Sequence, residues 1–191
     1  MSNGPQGIVR AIFRSPAEQP ETYERLPRIE ATLEGLAGDR HSGLIVRLKR
    51  REGSYLAGSE VRNTRQISLI SCEELQEIAS DLSLPMISPE IMKSNLLIEG
   101  IPDLSLLPPG TRLVFASGAG LVINGTNAPC MSTGQRVQSA FPDQDGLAAR
   151  FVKTAHLRRG AVAWVERAGE INEGDAVEVF PPKQPAWPAA D

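Results

Sequence analysis

Nucleophilic and metal-seeking side chains are scarce in this 191-residue sequence: two cysteines, Cys72 and Cys130, and two histidines, His41 and His156. The histidines stand 115 residues apart and the cysteines match no paired ligand spacing, which argues against a structural zinc site. An iron–sulfur cluster needs four cysteines, so this chain cannot hold one alone. No phosphate-binding glycine loop, serine nucleophile elbow or His-Glu-x-x-His pattern is present. Cys130 lies in Asn127-Ala128-Pro129-Cys130-Met131-Ser132-Thr133-Gly134, read as a polar loop leaving a strand, with Pro129 fixing the backbone immediately before the thiol. Such a thiol does chemistry when nearby cations or a metal stabilise its thiolate, and is incidental otherwise. Cys72 follows a helix cap, where the helix dipole could lower its pKa. It also precedes the apolar stripe begun by Leu75, so a packed thiol is the better reading.

A second candidate for chemistry is Gly38-Asp39-Arg40-His41-Ser42-Gly43. Glycines bracket four polar residues, a way to expose backbone N–H groups and side chains to a ligand. Arg40 can fork onto a phosphate or carboxylate, and Asp39 can orient His41 or hold the loop through an Asx turn. From Arg40 to Arg65 there are seven basic residues against two acidic ones, whereas the whole chain has a net charge of −3. A local positive field in an acidic protein suits a small anion better than nucleic acid. The plain alternative for Arg47–Arg51 is a solvated basic loop.

Short apolar runs separated by glycine and proline must position these residues. Gly7 to Phe13, Glu30 to Leu36 and Gln66 to Ile70 read as strands. Arg112 to Ala116 and Leu121 to Asn124 read as a hairpin turning at Ser117-Gly118-Ala119-Gly120, and Gly160 to Glu166 with Ala176 to Phe180 as a later pair. Ser71 and Glu74 form a capping box ahead of a helix to Leu82, with Leu75, Ile78, Ala79 and Leu82 on one face. A second helix is expected from about Gly146 to Ala155, and a short turn after Ser88-Pro89. About seven strands and few helices predict a mainly β barrel or sandwich. Residues 1–180 read as one domain and 181–191 as a mobile proline-rich tail. Hydrophobic content of 41% and charged content of 23% fit a globular protein. The sequence has no membrane-length apolar run and no leader-like start. With only two cysteines, a reducing, cytoplasmic setting is expected.

The order of five segments resembles the MOSC domain, the C-terminal domain of molybdenum cofactor sulfurases. The segments are Gly35-Leu36-Ala37-Gly38-Asp39-Arg40-His41; Arg65-Gln66-Ile67-Ser68-Leu69-Ile70; Lys93-Ser94-Asn95 leading to Ile101; Leu106 to Leu113 with the hairpin ending in Pro129-Cys130; and Arg159 to Val165 with Ile171 to Val177. The similarity runs from about Leu33 to Phe180. It implies a β-barrel related to the pyruvate kinase β-barrel domain, with a few peripheral α-helices. It also implies that Cys130 matches the family's reactive cysteine, as a persulfide carrier or as a direct molybdenum ligand. Asp39, Arg40, His41, Arg65, Lys93 and Asn95 become the residues expected to hold a molybdenum cofactor. Many relatives carry arginine where this chain has Ser94. Lys93 can replace the charge there but, as a point charge, not the fork.

Three functions follow. The first is a molybdenum-cofactor-binding reductase of N-hydroxylated small molecules, with Cys130 ligating the metal and electrons supplied by a donor protein. The second is a sulfur carrier that takes a persulfide onto Cys130 from a separate cysteine desulfurase, since the chain is too short to contain that pyridoxal-phosphate domain. The third is a non-catalytic anion-binding module. The first two are enzymes, an oxidoreductase or a sulfurtransferase. All three expect no nucleic acid and no membrane partner.

Overall fold

The first strand, β1 (Gln6–Arg14), alternates exposed and buried residues along its first half and then turns wholly inward at Ala11, Ile12 and Phe13. That change accompanies a register shift between Val9 and Ala11, a bulge that bends the strand so it can serve two neighbours. In the computed structural model, which describes residues 6–183, β1 closes a barrel.

The elements follow in chain order: β2 (Glu24–Leu26), β3 (Arg28–Thr32), β4 (Gly35–Leu36), β5 (Ile45–Arg47), β6 (Glu60–Arg62), β7 (Ile67–Ser71), α1 (Cys72–Asp81), α2 (Pro89–Met92), β8 (Leu96–Glu99), β9 (Arg112–Phe115), β10 (Gly120–Thr126), α3 (Met131–Ala140), α4 (Leu147–Thr154), β11 (Ala161–Arg167), β12 (Gly169–Asn172) and β13 (Ala176–Phe180). Seven strands form the ring, in the order β13, β9, β10, β11, β7, β8, β1, and β1 pairs back onto β13. Closure removes the open edges that a flat sheet would expose. Among the described strands of the ring only β7 and β8 run parallel, and the crossover between them is made by α1 and α2.

Inward residues of the ring, among them Leu69, Leu96, Leu113, Phe115, Leu121 and Val165, fill the barrel. A second apolar cluster lies outside it, where Ile78, Leu82, Met92, Val137, Leu147 and Phe151 pack the helices together. Ser71 caps α1 as expected, its side chain accepting from the Glu74 N–H at 2.9 Å, a contact worth about 1 kcal/mol. The Glu74 carboxylate also accepts from the Ser105 N–H at 2.8 Å, tying α1 to the turn at Leu104–Leu106.

Three sequence expectations need correction. Glu30 to Leu36 is not one strand but the hairpin β3–β4, turning at Leu33-Glu34. Gly160 to Glu166 and Ala176 to Phe180 do not pair. β11 lies between β10 and β7, β13 lies between β9 and β1, and the connection contains β12, which pairs with β3. The loop expected around Cys130 ends at that residue, because Met131 onward is α3. Of the proline-rich tail, residues 184–191 lie outside the described residues. No helix among the described residues is long and apolar enough to cross a membrane.

Candidate functional site

Asp39 is the organiser of one wall. Its buried carboxylate accepts from the Ser15 N–H at 2.9 Å, the His41 N–H at 2.8 Å and the Asn95 Nδ2 at 3.0 Å, and lies 2.9 Å from His41 Nδ1. Burial pushes this carboxyl up, but the His41 ring and the two backbone N–H groups outweigh that and hold it below its ordinary value. Asp39 is not itself part of the cavity wall; it places His41, which is. Asn95 is equally committed. Its Oδ1 accepts from the Ser68 N–H and hydroxyl, both at 3.0 Å, and its Nδ2 donates to Phe13 O at 3.3 Å as well as to Asp39. With both amide hydrogens used, Asn95 rivets β1, β7 and the Asp39 loop rather than offering a free donor.

Cys130 is delivered by the end of β10. A register shift between Ile123 and Gly125 turns the chain out of the barrel, the Asn127 N–H donates to Gly160 O at 2.8 Å, and Pro129 leads into Cys130 at the N-cap of α3. Gly134 is required in the first turn, because a Cβ there would stand 2.4 Å from Ala148 O on α4. The sulfur is 3.1 Å from Ser132 Oγ and 3.4 Å from Thr133 Oγ1. Arg136 Nη2 donates to Thr133 Oγ1 at 3.0 Å; arginine cannot accept, so the Thr133 hydroxyl hydrogen is left for the sulfur. Partial burial pushes the thiol up, but the hydroxyls and backbone N–H groups of Ser132 and Thr133 more than offset it, bringing the pKa down to about 7. Cys72 is half-buried at the start of α1 and belongs to neither apolar cluster, so it is not the packed core thiol expected; burial, with Glu73 and Glu99 nearby, nonetheless pushes it up to about 11.

Both walls meet over a cavity of about 1240 Å³ whose lining includes Cys130, Arg40, His41, Arg65, Lys93 and Asn95. Of the residues expected from sequence, only Asp39 stands behind the surface. Arg40 is held by a hydrogen bond to Pro20 O at 3.0 Å, and Lys93 pairs with Glu21 at 3.1 Å. The β5–β6 hairpin forms the outer rim, where Lys49 and Arg50 also line the cavity while Arg47 is engaged by Glu60 at 2.9 Å. The basic stretch is therefore partly cavity wall and partly solvated rim.

Sequence reasoning missed two cations. Arg136 is half-buried, with Nε donating to Ile91 O at 2.9 Å. Arg159 is only 7% exposed, with Nη2 donating to Met92 O at 2.7 Å, while its Nε and Nη1 are buried without a hydrogen-bond partner among the described residues. Burial and the neighbouring Arg136 push Arg159 down, the Cys130 thiolate pushes it up, and the result is about 10, so it stays cationic at neutral pH. No sequence spacing foretold this pair; the one signal was that Arg159 opens a segment that resembles the MOSC domain, immediately before Gly160.

No group of three or more histidine, cysteine or carboxylate side chains among the described residues is placed to hold a metal ion. A metal here would lean on Cys130 alone from the protein and bring its remaining ligands with it. An anionic group that carries both a soft metal and an oxyanion fits this donor set, because the cavity pairs one exposed thiolate with buried guanidinium nitrogens that lack acceptors.

A family model described as the MOSC domain matches residues 37–178. A Bacillus subtilis protein, YuaD, described as a candidate metal-sulfur cluster biosynthesis protein, is 41% identical over 156 residues, covering 82% of this chain and 81% of its own. A crystal structure of YuaD from Bacillus subtilis superposes with a TM-score of 0.87 at 36% identity, covering 96% of this chain and all of that one. YiiM from Escherichia coli shares the fold, with a TM-score of 0.57 at 14% identity over 92% of this chain and 70% of that one.

Proposed function

The chain belongs to the MOSC domain family, and on that premise we propose that it is a sulfur-transfer protein that carries sulfane sulfur as a persulfide on Cys130. The observation that supports this most is the exposed thiol with a pKa of about 7 on the wall of a cation-lined cavity. A sulfur nucleophile is most effective when its pKa lies near ambient pH, where it is largely ionised and still strongly nucleophilic. The Cys130 thiolate attacks the outer sulfur of a persulfide donor, R–S–SH. A new S–S bond forms to Cys130, the donor's S–S bond breaks, and R–S⁻ leaves as a thiolate. Charge and oxidation state balance without an added oxidant. Ser132 and Thr133 hold the sulfur's negative charge before attack and again when the persulfide is passed on. The source of the sulfur is a cysteine desulfurase, and the setting is a reducing cytoplasm, in keeping with two unpaired cysteines. The description of YuaD fits the same chemistry.

The buried, partnerless nitrogens of Arg159 favour one second reading, a molybdenum cofactor. Cys130 would face the metal, and Arg40, Arg65, Lys93, Arg136 and Arg159 would hold the anionic part of the cofactor. Bound there, the group would supply two-electron reduction of N-hydroxylated small molecules, with an electron-donor protein as partner. In that case the Asp39–His41 loop and the cations bind and orient, and Ser132 and Thr133 keep Cys130 ionised.

One experiment separates the readings. The freshly purified protein is incubated with cysteine, a cysteine desulfurase and low-molecular-weight thiols. Peptides are then analysed by mass spectrometry and the protein by metal analysis. Sulfur transfer predicts a reductant-reversible gain of about 32 Da on the Cys130 peptide and none on Cys72. Stoichiometric molybdenum without that gain selects the cofactor reading, and neither result leaves an anion-binding module.

A further inference from the structure

Arg136 and Arg159 come from distant parts of the chain yet are tethered to consecutive carbonyls, Ile91 O and Met92 O, at the end of α2. Two guanidinium groups are thereby held side by side against their mutual repulsion. Arg159 is also fixed from behind. Gly160 has φ +98° and its backbone presses on β7, where a Cβ would stand 1.9 Å from Leu69 O, while the Gly160 N–H is anchored to Ser105 Oγ at 2.6 Å. A buried guanidinium with two nitrogens unpartnered is costly for a folded protein, and a rigid one is poised for an oxyanion. The neighbouring Arg136 connects through Thr133 to the Cys130 sulfur, at 3.0 and 3.4 Å.

Building on the sulfur-transfer reading, we infer that Arg159 and Arg136 form an oxyanion subsite that docks a small-molecule persulfide bearing a carboxylate or phosphate, so that the immediate sulfur donor to Cys130 enters the cavity rather than being presented on a protein loop. The cavity, about 1240 Å³, admits a molecule of short-peptide size. Arg159, only 7% exposed, is among the residues that line it. A small-molecule persulfide of this kind carries its oxyanion only a few bonds from the sulfur and brings both into the cavity together. The covalent step is the exchange already written, with the donor leaving as its thiolate while its oxyanion stays on the arginines.

The test measures initial rates of Cys130 persulfidation in the full chain against donor concentration. Glutathione persulfide carries carboxylates; cysteamine persulfide has none. The former should saturate and the latter should not. Arg159→Gln should reduce kcat/KM for glutathione persulfide 10- to 100-fold while changing the cysteamine persulfide rate less than about 3-fold. Arg159→Lys, which keeps the charge and the stem but not the fork, gives the same comparison should the glutamine variant fail to fold. Competition by acetate marks a carboxylate donor, and competition by inorganic phosphate at lower concentration marks a phosphate-bearing one. Equal losses with both donors, or no saturation with either, would overturn the subsite, as would transfer from a desulfurase protein alone. Binding of S-methylglutathione, which cannot transfer sulfur, is measured by calorimetry. Its loss in Arg159→Gln supports the subsite, and unchanged binding or none to the parent overturns it, even should Cys130 accept sulfur from no donor and the sulfur-transfer reading fail.

Discussion

Cys130→Ser should gain no sulfur from any persulfide donor and yet unfold within about 2 °C of the parent protein. The two halves of this result have separate causes. A serine hydroxyl at the head of α3 would sit among the same donors, Ser132 and Thr133, but its proton is too weakly acidic to leave near neutral pH, and oxygen forms no persulfide. Stability is spared because the side chain is exposed and its contacts are hydroxyl hydrogen bonds that a serine can also make. Peptide mass spectrometry reads the first half and a thermal melt the second. Sulfur appearing elsewhere in the variant, on Cys72, would contradict the account, since that thiol is held protonated with a pKa of about 11.

Asp39→Ala should be the most damaging substitution at the site, costing about 3–5 kcal/mol in urea denaturation. The Ser15 and His41 N–H groups, the His41 ring and the Asn95 amide would all lose their shared acceptor. Asn95 in turn holds Ser68 and Phe13, so the loss spreads to β7 and β1. Against a total stability of roughly 5–15 kcal/mol, this is enough to leave the variant marginal at 37 °C. The effect should also depend on pH. The folded carboxyl ionises below its ordinary value, so its stabilisation is complete above the unfolded value of about 3.9 and fades as pH falls through the lower folded one. The gap between parent and variant should therefore be constant from pH 5 to 7 and shrink below about pH 4. A gap that widens with acid would mean that Asp39 is held protonated instead.

The barrel was legible because its strands are short, β-branched and punctuated by glycine. The helix after Ser71 was legible because its cap and apolar stripe agree. What escaped notice had local disguises or distant causes. Ser132-Thr133-Gly134 favours loops by propensity, yet it opens α3, and Gly134 is there for the close approach of Ala148 rather than for a turn. Leu33-Glu34-Gly35 continues an apolar pattern and hides the reversal that makes β3 and β4 a hairpin. Neighbours in sequence commonly pair, so β11 and β13 looked like partners, but ring closure sends them to opposite sides of the β9–β10 hairpin.

The candidate residues were legible as a list, and their convergence on one cavity was not. Cys130, Arg40, His41, Arg65, Lys93 and Asn95 all reach one cavity, although 90 residues separate the first two in sequence. The lysine expected to stand in for a guanidinium at Ser94 is engaged by Glu21, and the Ser94 hydroxyl is buried without a partner among the described residues. The half-buried and buried guanidiniums beside the cavity are those of Arg136 and Arg159, both of which donate to carbonyls at the end of α2. No spacing rule encodes such a meeting.

The most direct measurement is the rate of iodoacetamide alkylation at each cysteine as a function of pH, read peptide by peptide. The account predicts a half-maximal rate for Cys130 near pH 7, with Cys72 reacting appreciably only several pH units higher. A Cys130 profile rising only near the ordinary thiol value of about 8.5, or one that coincides with Cys72, would contradict it.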